Sequence, residues 1–169
     1  PKAKQAHGFP LKEAAGIARS PILWLCAFIL FFQSGNEFTV GGWISTYLQK
    51  THGLGADTAA LVLAAYWAAI MSGRLLASRL VRRFRNETLI LGSAILALAA
   101  SVLMALAPSG TSAAVGAVVL GLGFAAIYPT TLAIVGGRFA ALTGTAFSVA
   151  IAVGLVGGMI APWLAGRIA

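Results

Sequence analysis

An all-α bundle of membrane-crossing helices is the fold this sequence predicts, and three observations predict it. The chain is 59% hydrophobic and only 9% charged, whereas soluble domains run near 45–50% apolar and about 25% charged. Its mean hydropathy is +0.90. Five apolar segments reach the length of ~20 residues that a helix needs to cross a hydrocarbon core of about 30 Å. Twenty glycines among 169 residues agree with this class, because Gly is more frequent in membrane helices than in soluble ones.

The first predicted span covers about 22–48, with Pro21 suited to a first helical turn that has no use for its missing N–H. The second covers about 58–80, with Asp57 as its N-cap. The third covers about 87–107, capped by Asn86 and stopped by Pro108. The fourth covers about 112–136 and contains Pro129. The fifth covers about 142–168. Residues 1–20 precede the bundle as a basic segment, so the predicted organisation is this segment followed by a transmembrane bundle over 21–169. The chain starts at Pro1 without a visible signal peptide, and it is expected to be a piece of a longer protein.

The net charge of +8 does not point to nucleic acid, because the basic residues fall between apolar runs rather than in a patch interleaved with aromatics. Lys2, Lys4, Lys12 and Arg19 precede the first span, and Arg74, Arg79, Arg82, Arg83 and Arg85 surround the second junction. Arg138 lies at the fourth junction, whereas only Lys50 and Arg167 fall on the alternate side. The positive-inside rule places the N-terminus and the 81–86 loop in the cytoplasm of a multi-pass cell-membrane protein. Cys26 lies inside an apolar span and reads as a small buried hydrophobe. His7 and His52 read as solvated loop residues on opposite sides. No nucleophile–base pair or metal-ligand spacing occurs, so neither an enzyme, a metal nor a cofactor is expected.

Helices in lipid pack through small residues. Three ladders with a spacing of four fit this rule: Ala60, Ala64, Ala68 and Ser72; Ala117, Gly121 and Ala125; and Ala150, Gly154 and Gly158. Pro129 deprives the Ala125 carbonyl of its helical donor. Thr130, Thr131 and Tyr128 bring hydroxyls to the same level, so the kink is either structural or part of a solute pathway.

The first span holds the unusual chemistry. Gln33, Glu37, Gly41 and Ser45 form one helical stripe, with Asn36 beside it. Glu37 lies roughly 22 Å from Ile22 at 1.5 Å per residue, which suggests the outer half of the bilayer. An acidic or basic side chain at bilayer depth is unfavourable by about 2.5–3.5 kcal/mol on insertion scales. The stripe is therefore expected to face the bundle interior or an aqueous cavity. Two readings of Glu37 stand. In one it lines a proton or solute pathway; in the other it is a packing device held by an Asn, Ser or Arg of a neighbouring helix. Arg74 is the other candidate charge, and its place near the inner end of its span favours snorkelling to the headgroups. Gly41 and Gly42 each weaken a helix by about 1 kcal/mol relative to Ala, which suggests a flexible point or a close helix contact. Trp43 and Tyr47 lie further out on the same span.

Several stretches resemble the major facilitator superfamily. GRLLASRLVRRF, from Gly73 to Phe84, resembles the cytoplasmic loop signature of that family, and Gly73, Arg74, Arg79, Arg82 and Arg83 carry the likeness. Ser78 and Arg85 stand at the two Gly positions of the pattern and Arg82 at its Asp, so the acidic member is lost. GNEFTVGGWISTYL is similar to the seventh helix of the fucose permease-like branch, GFAAIYPTTLAIVGGRF to its tenth, and TGTAFSVAIAVGLVGGMIAPWLAGRIA to its eleventh. PLKEAAGIARSPILWL resembles the exit of the central cytoplasmic loop. The resemblance implies helices 7 to 11 of twelve, in the C-terminal half of a transporter whose N-terminal half and twelfth helix are missing from this sequence. It further implies proton-coupled sugar transport by alternating access, with a small-molecule substrate, protons and a lipid bilayer as partners. The recognised proton-coupling acids of the branch lie in the other half, and fucose permease itself has no acid at the position of Glu37. Gln33, Asn36, Glu37, Trp43, Tyr47, Tyr128 and Thr131 are the pathway candidates. The alternatives are a drug or metabolite exporter on the same scaffold and a non-transporting membrane interaction protein.

Overall fold

The computed structural model describes residues 16–168. Lys2, Lys4, His7, Lys12 and most of the 1–20 segment lie outside the described residues. All regular structure among the described residues is helical. Helix α1 is Pro21–His52, α2 is Ala56–Leu80, α3 is Asn86–Ala105, α4 is Gly110–Ala125, α5 is Ile127–Arg138 and α6 is Thr143–Ile168. A single 3₁₀ turn, Ala140–Leu142, precedes α6. With α4 and α5 as one interrupted segment, five segments are long and apolar enough to cross a membrane. The protein is a polytopic all-α bundle.

The helix ends differ from the sequence expectation in instructive ways. Pro21 does occupy the first turn of α1. The helix continues past Leu48 to His52 and stops at Gly53, whose φ of 67° only glycine adopts freely. The Gly53 N–H donates to the Gln49 carbonyl at 3.1 Å, a left-handed C-cap. The polar residues Gln49–His52 carry no hydropathy, so only Gly53 marks the end. The cap of α2 is Gly55 rather than Asp57, which lies inside the first turn where its charge complements the helix dipole. The cap of α3 is Arg85 rather than Asn86. Helix α4 begins two residues before the expected Ser112, because Ser109 and Ser112 form a reciprocal capping box.

Packing follows small residues, though not always the expected ones. Helix α1 lies along α6. A Cβ added at Gly157 would collide with the Phe31 backbone, and one at Gly35 would meet Ala161 Cβ at 3.0 Å. Helix α4 packs between α2 and α3, where a Cβ at Gly121 would stand 2.7 Å from the Tyr66 carbonyl oxygen. Ala117, Gly121, Ala125, Ala150 and Gly154 are buried, as their ladders require. Ala60, Ala64, Ala68 and Ser72 are instead exposed. The contact face of α2 runs through Ala69, Gly73 and Ala77, a second spacing of four that the same alanine-rich sequence contains. Cys26 is buried in the cluster of Leu23, Ala27, Leu30, Val135 and Ala150.

Candidate functional site

Glu37 stands at the middle of α1, which runs four residues further than its apolar stretch. Its side chain is 7% exposed. Arg74 does not snorkel away from it. Arg74 Nη2 donates to Glu37 Oε1 at 3.1 Å and lies 3.5 Å from Oε2. The depths agree once both helices are measured from the tight turn at 53–55 that joins them. At 1.5 Å per residue, Glu37 lies about 22 Å and Arg74 about 27 Å from that turn. An offset of about 5 Å along the axis is within the reach of an arginine side chain. Arg74 and Gly73 lie in α2, inside the 58–80 span the sequence predicts, although the signature they resemble is that of a cytoplasmic loop. Arg79 is in the last turn of α2, and Arg82 and Arg83 form the turn that follows.

Glu37 is tied to a second neighbour through Gln33. The Gln33 amide donates to Glu37 Oε2 at 3.2 Å and to the Phe124 carbonyl at 3.2 Å. Phe124 lies two residues before the interruption of the fourth span. The Tyr66 hydroxyl of α2 donates to the Glu37 main-chain carbonyl at 3.0 Å. A chain of polar groups thus runs from the α4–α5 break, through α1, to α2. Buried charge is tolerated when it is paired and its remaining lone pairs are satisfied, and here both carboxylate oxygens have donors.

The break itself falls at Ala126, three residues before Pro129. Two helical segments replace one continuous span because Pro129 has no N–H to offer the preceding turn. Thr130 and Thr131 do not serve the freed carbonyl as expected. Thr131 Oγ1 donates to Ile127 within its own helix at 2.7 Å, and Thr130 Oγ1 is buried without a hydrogen-bond partner among the described residues. Gly73 packs beside the break, where an added Cβ would come within 2.5 Å of Ala125 Cβ. Tyr66 and Tyr128 both lie within electrostatic reach of Glu37 and Arg74.

The remaining predicted residues separate into two places. Asn36 and Gln33 line a cavity of about 460 Å³ between α1, α3 and the α4–α5 junction, with Phe124 and Ser101 among its walls. Trp43 and Tyr47 lie toward the 53–55 turn, away from Glu37. The Trp43 indole donates to the Pro162 carbonyl of α6 at 3.1 Å. The Tyr47 hydroxyl donates to the Met104 carbonyl of α3 at 2.7 Å and lies 3.0 Å from His52 Nε2. His52 is thus the partly buried last residue of α1 and not a solvated loop residue. Gly41 faces the Trp67 ring, while Gly42 faces open space, so the pair serves a close contact at one position only.

What the arrangement offers is a charged pair in the middle of apolar helices, set beside an interrupted helix and flanked by amides and phenols. A family model described as Major Facilitator Superfamily matches residues 1–165. A comparison with curated proteins finds no match.

Proposed function

The chain belongs to the major facilitator superfamily, a family of membrane transporters, and we propose that it forms part of a secondary active transporter that couples proton movement to uptake of a sugar. The observation that supports this reading is the Glu37–Arg74 pair, 3.1 Å apart in the interior of the bundle. An ionisable group at that depth has a functional role as its first explanation, and a carboxylate that can exchange its arginine for a proton is suited to coupling.

In this proposal the bundle is the C-terminal half, and the solute binds near the bilayer midplane between it and an N-terminal half. Glu37 accepts the proton. Gln33, Asn36, Tyr128 and Thr131 face or support the path taken by solute hydroxyls, while Trp43 and Tyr47 fasten α1 to α6 and α3 at the outer end. The interruption at Ala126 supplies a point at which the α4–α5 segment bends as access alternates. The N-terminus and the 81–86 loop lie in the cytoplasm, where the arginines are concentrated, and the protein resides in the cell membrane.

The test is Glu37→Gln in the full-length protein. It is expected to insert and fold normally while losing sugar accumulation driven by a proton gradient. Wild-type accumulation by that variant removes Glu37 from the mechanism. Counterflow of labelled sugars against labelled lipophilic cations separates uptake of sugar from an exporter of drugs or metabolites. Absence of both activities favours a non-transporting interaction protein.

A further inference from the structure

The Glu37–Arg74 pair is asymmetric, and the asymmetry bears on the charge of the solute. Glu37 is 7% exposed and has both oxygens engaged, whereas Arg74 is 46% exposed. A guanidinium presents five N–H donors in a planar fork. Among the described residues, every hydrogen bond that Arg74 makes leaves from Nη2 alone. Its other nitrogens are turned neither to a backbone carbonyl nor to a second carboxylate of the described bundle. Helix α4 contains no charged residue, and the only charges of α5 and α6 are Arg138 and Arg167 at their far ends. The Tyr66 hydroxyl donates to the Glu37 main-chain carbonyl at 3.0 Å and so engages neither side-chain charge.

We propose that Arg74 is the recognition group for a carboxylate on the solute, so that the site takes a hydroxylated monocarboxylate, a sugar acid, together with one proton. The inference deepens the transport reading above and rests on it. The physical argument concerns net charge in a low-dielectric interior. With Glu37 ionised, the pair is neutral. When Glu37 takes up a proton, Arg74 is left without its counter-charge, a cost that its 46% exposure reduces but does not remove. A neutral sugar cannot offset that cost. A carboxylate can, and its two oxygens match the guanidinium fork better than any hydroxyl does. A carboxylate arriving while Glu37 is still ionised would make the site net negative, so the anion is admitted only with the proton. The proton passes from water to a Glu37 oxygen and later returns to water on the other side. One proton and one monoanion cross together, and no net charge moves.

The full-length protein in proteoliposomes tests this with labelled glucuronate and labelled glucose. Glucuronate uptake is expected to rise at least about tenfold with an inward proton gradient and to be unaffected by a potential imposed with valinomycin. Glucose uptake is expected to be less than a tenth of it. Glu37→Gln, which fixes the site in its proton-loaded charge state, should give glucuronate counterflow that no longer varies with pH. The Glu37→Gln, Arg74→Gln double variant keeps the site neutral and the volumes similar. It should remain folded by thermal denaturation and lose glucuronate counterflow. Proton-driven, current-carrying uptake of glucose with exclusion of glucuronate overturns the anion inference and leaves proton-coupled sugar transport standing. Glucuronate counterflow that survives in the double variant overturns the role of Arg74. Movement of neither solute overturns both this inference and the reading on which it rests.

Discussion

Arg74→Gln is the most direct probe of what holds the interior together, and its cost follows from the two exposures. Removing one partner of a buried ion pair destabilises by about 3–5 kcal/mol, because the other charge is stranded. Arg74 is 46% exposed, and partial screening moves the expectation to the low end, about 3 kcal/mol. The converse change, Glu37→Gln, strands a guanidinium that already contacts solvent over nearly half its surface, so about 1 kcal/mol is expected. With both changed, no charge remains, and replacement of a buried pair by uncharged groups is often close to neutral. The double variant should therefore lose about 1 kcal/mol, where simple addition gives about 4. The coupling of about 3 kcal/mol is the quantity to measure. Unfolding by sodium dodecyl sulfate from mild detergent, followed by tryptophan fluorescence, supplies all four free energies. A double variant that loses the full additive amount would refute the reasoning, since it would mean that the two side chains do not sense each other.

Other outcomes follow from single contacts. Gly157→Ala should destabilise by about 2–3 kcal/mol, the upper part of the overpacking range, because its Cβ meets the Phe31 backbone. Gly42→Ala, with open space around its Cβ, should stabilise by up to about 1 kcal/mol through helix propensity; the same unfolding assay reads both. Tyr47→Phe removes the 2.7 Å hydrogen bond to Met104 and should cost about 1 kcal/mol, with no change in the pH dependence of transport. Pro129→Ala restores an N–H to the interrupted segment and should slow transport while leaving thermal stability unchanged or higher. Cysteine introduced at Arg82 should react with an impermeant maleimide only from the cytoplasmic face and cysteine at Lys50 only from outside, whereas buried Cys26 should react from neither.

The helical class and the five apolar segments were legible because hydropathy over ~20 residues is a property of each segment alone. Helix ends were less so. Gln49–His52 continue α1 beyond its apolar run, and a helix that leaves the hydrocarbon has no hydropathic reason to stop there. The packing face of α2 was misread for a related reason. Two spacings of four coexist in that helix, Ala60–Ser72 and Ala69–Ala77, and local pattern cannot say which one meets α4. What decides is the shape of the partner: Gly121 and Ala125 need small neighbours opposite them, and these are Ala69 and Gly73.

Glu37 announced itself, because a lone carboxylate in an apolar segment has no bland explanation at the level of one helix. Its partner did not. Arg74 six residues from the end of α2 resembles any flanking arginine when depth is counted from its own terminus. The depth that matters is counted from the shared turn at 53–55, and that count requires knowing that α1 ends at Gly53 rather than Leu48. Counted each from its own inner end, the acid lies about 22 Å and the arginine about 9 Å along its helix, which hides that the two side chains meet. Gln33 was legible as part of the polar stripe. Its contact with Phe124 was not, since nothing in the local pattern of α1 says which carbonyl of α4 stands opposite it. The pair and the break are therefore neighbours in one network: the residues just before the interruption supply the carbonyl that anchors Gln33, and Gln33 and Arg74 together give both Glu37 oxygens a donor.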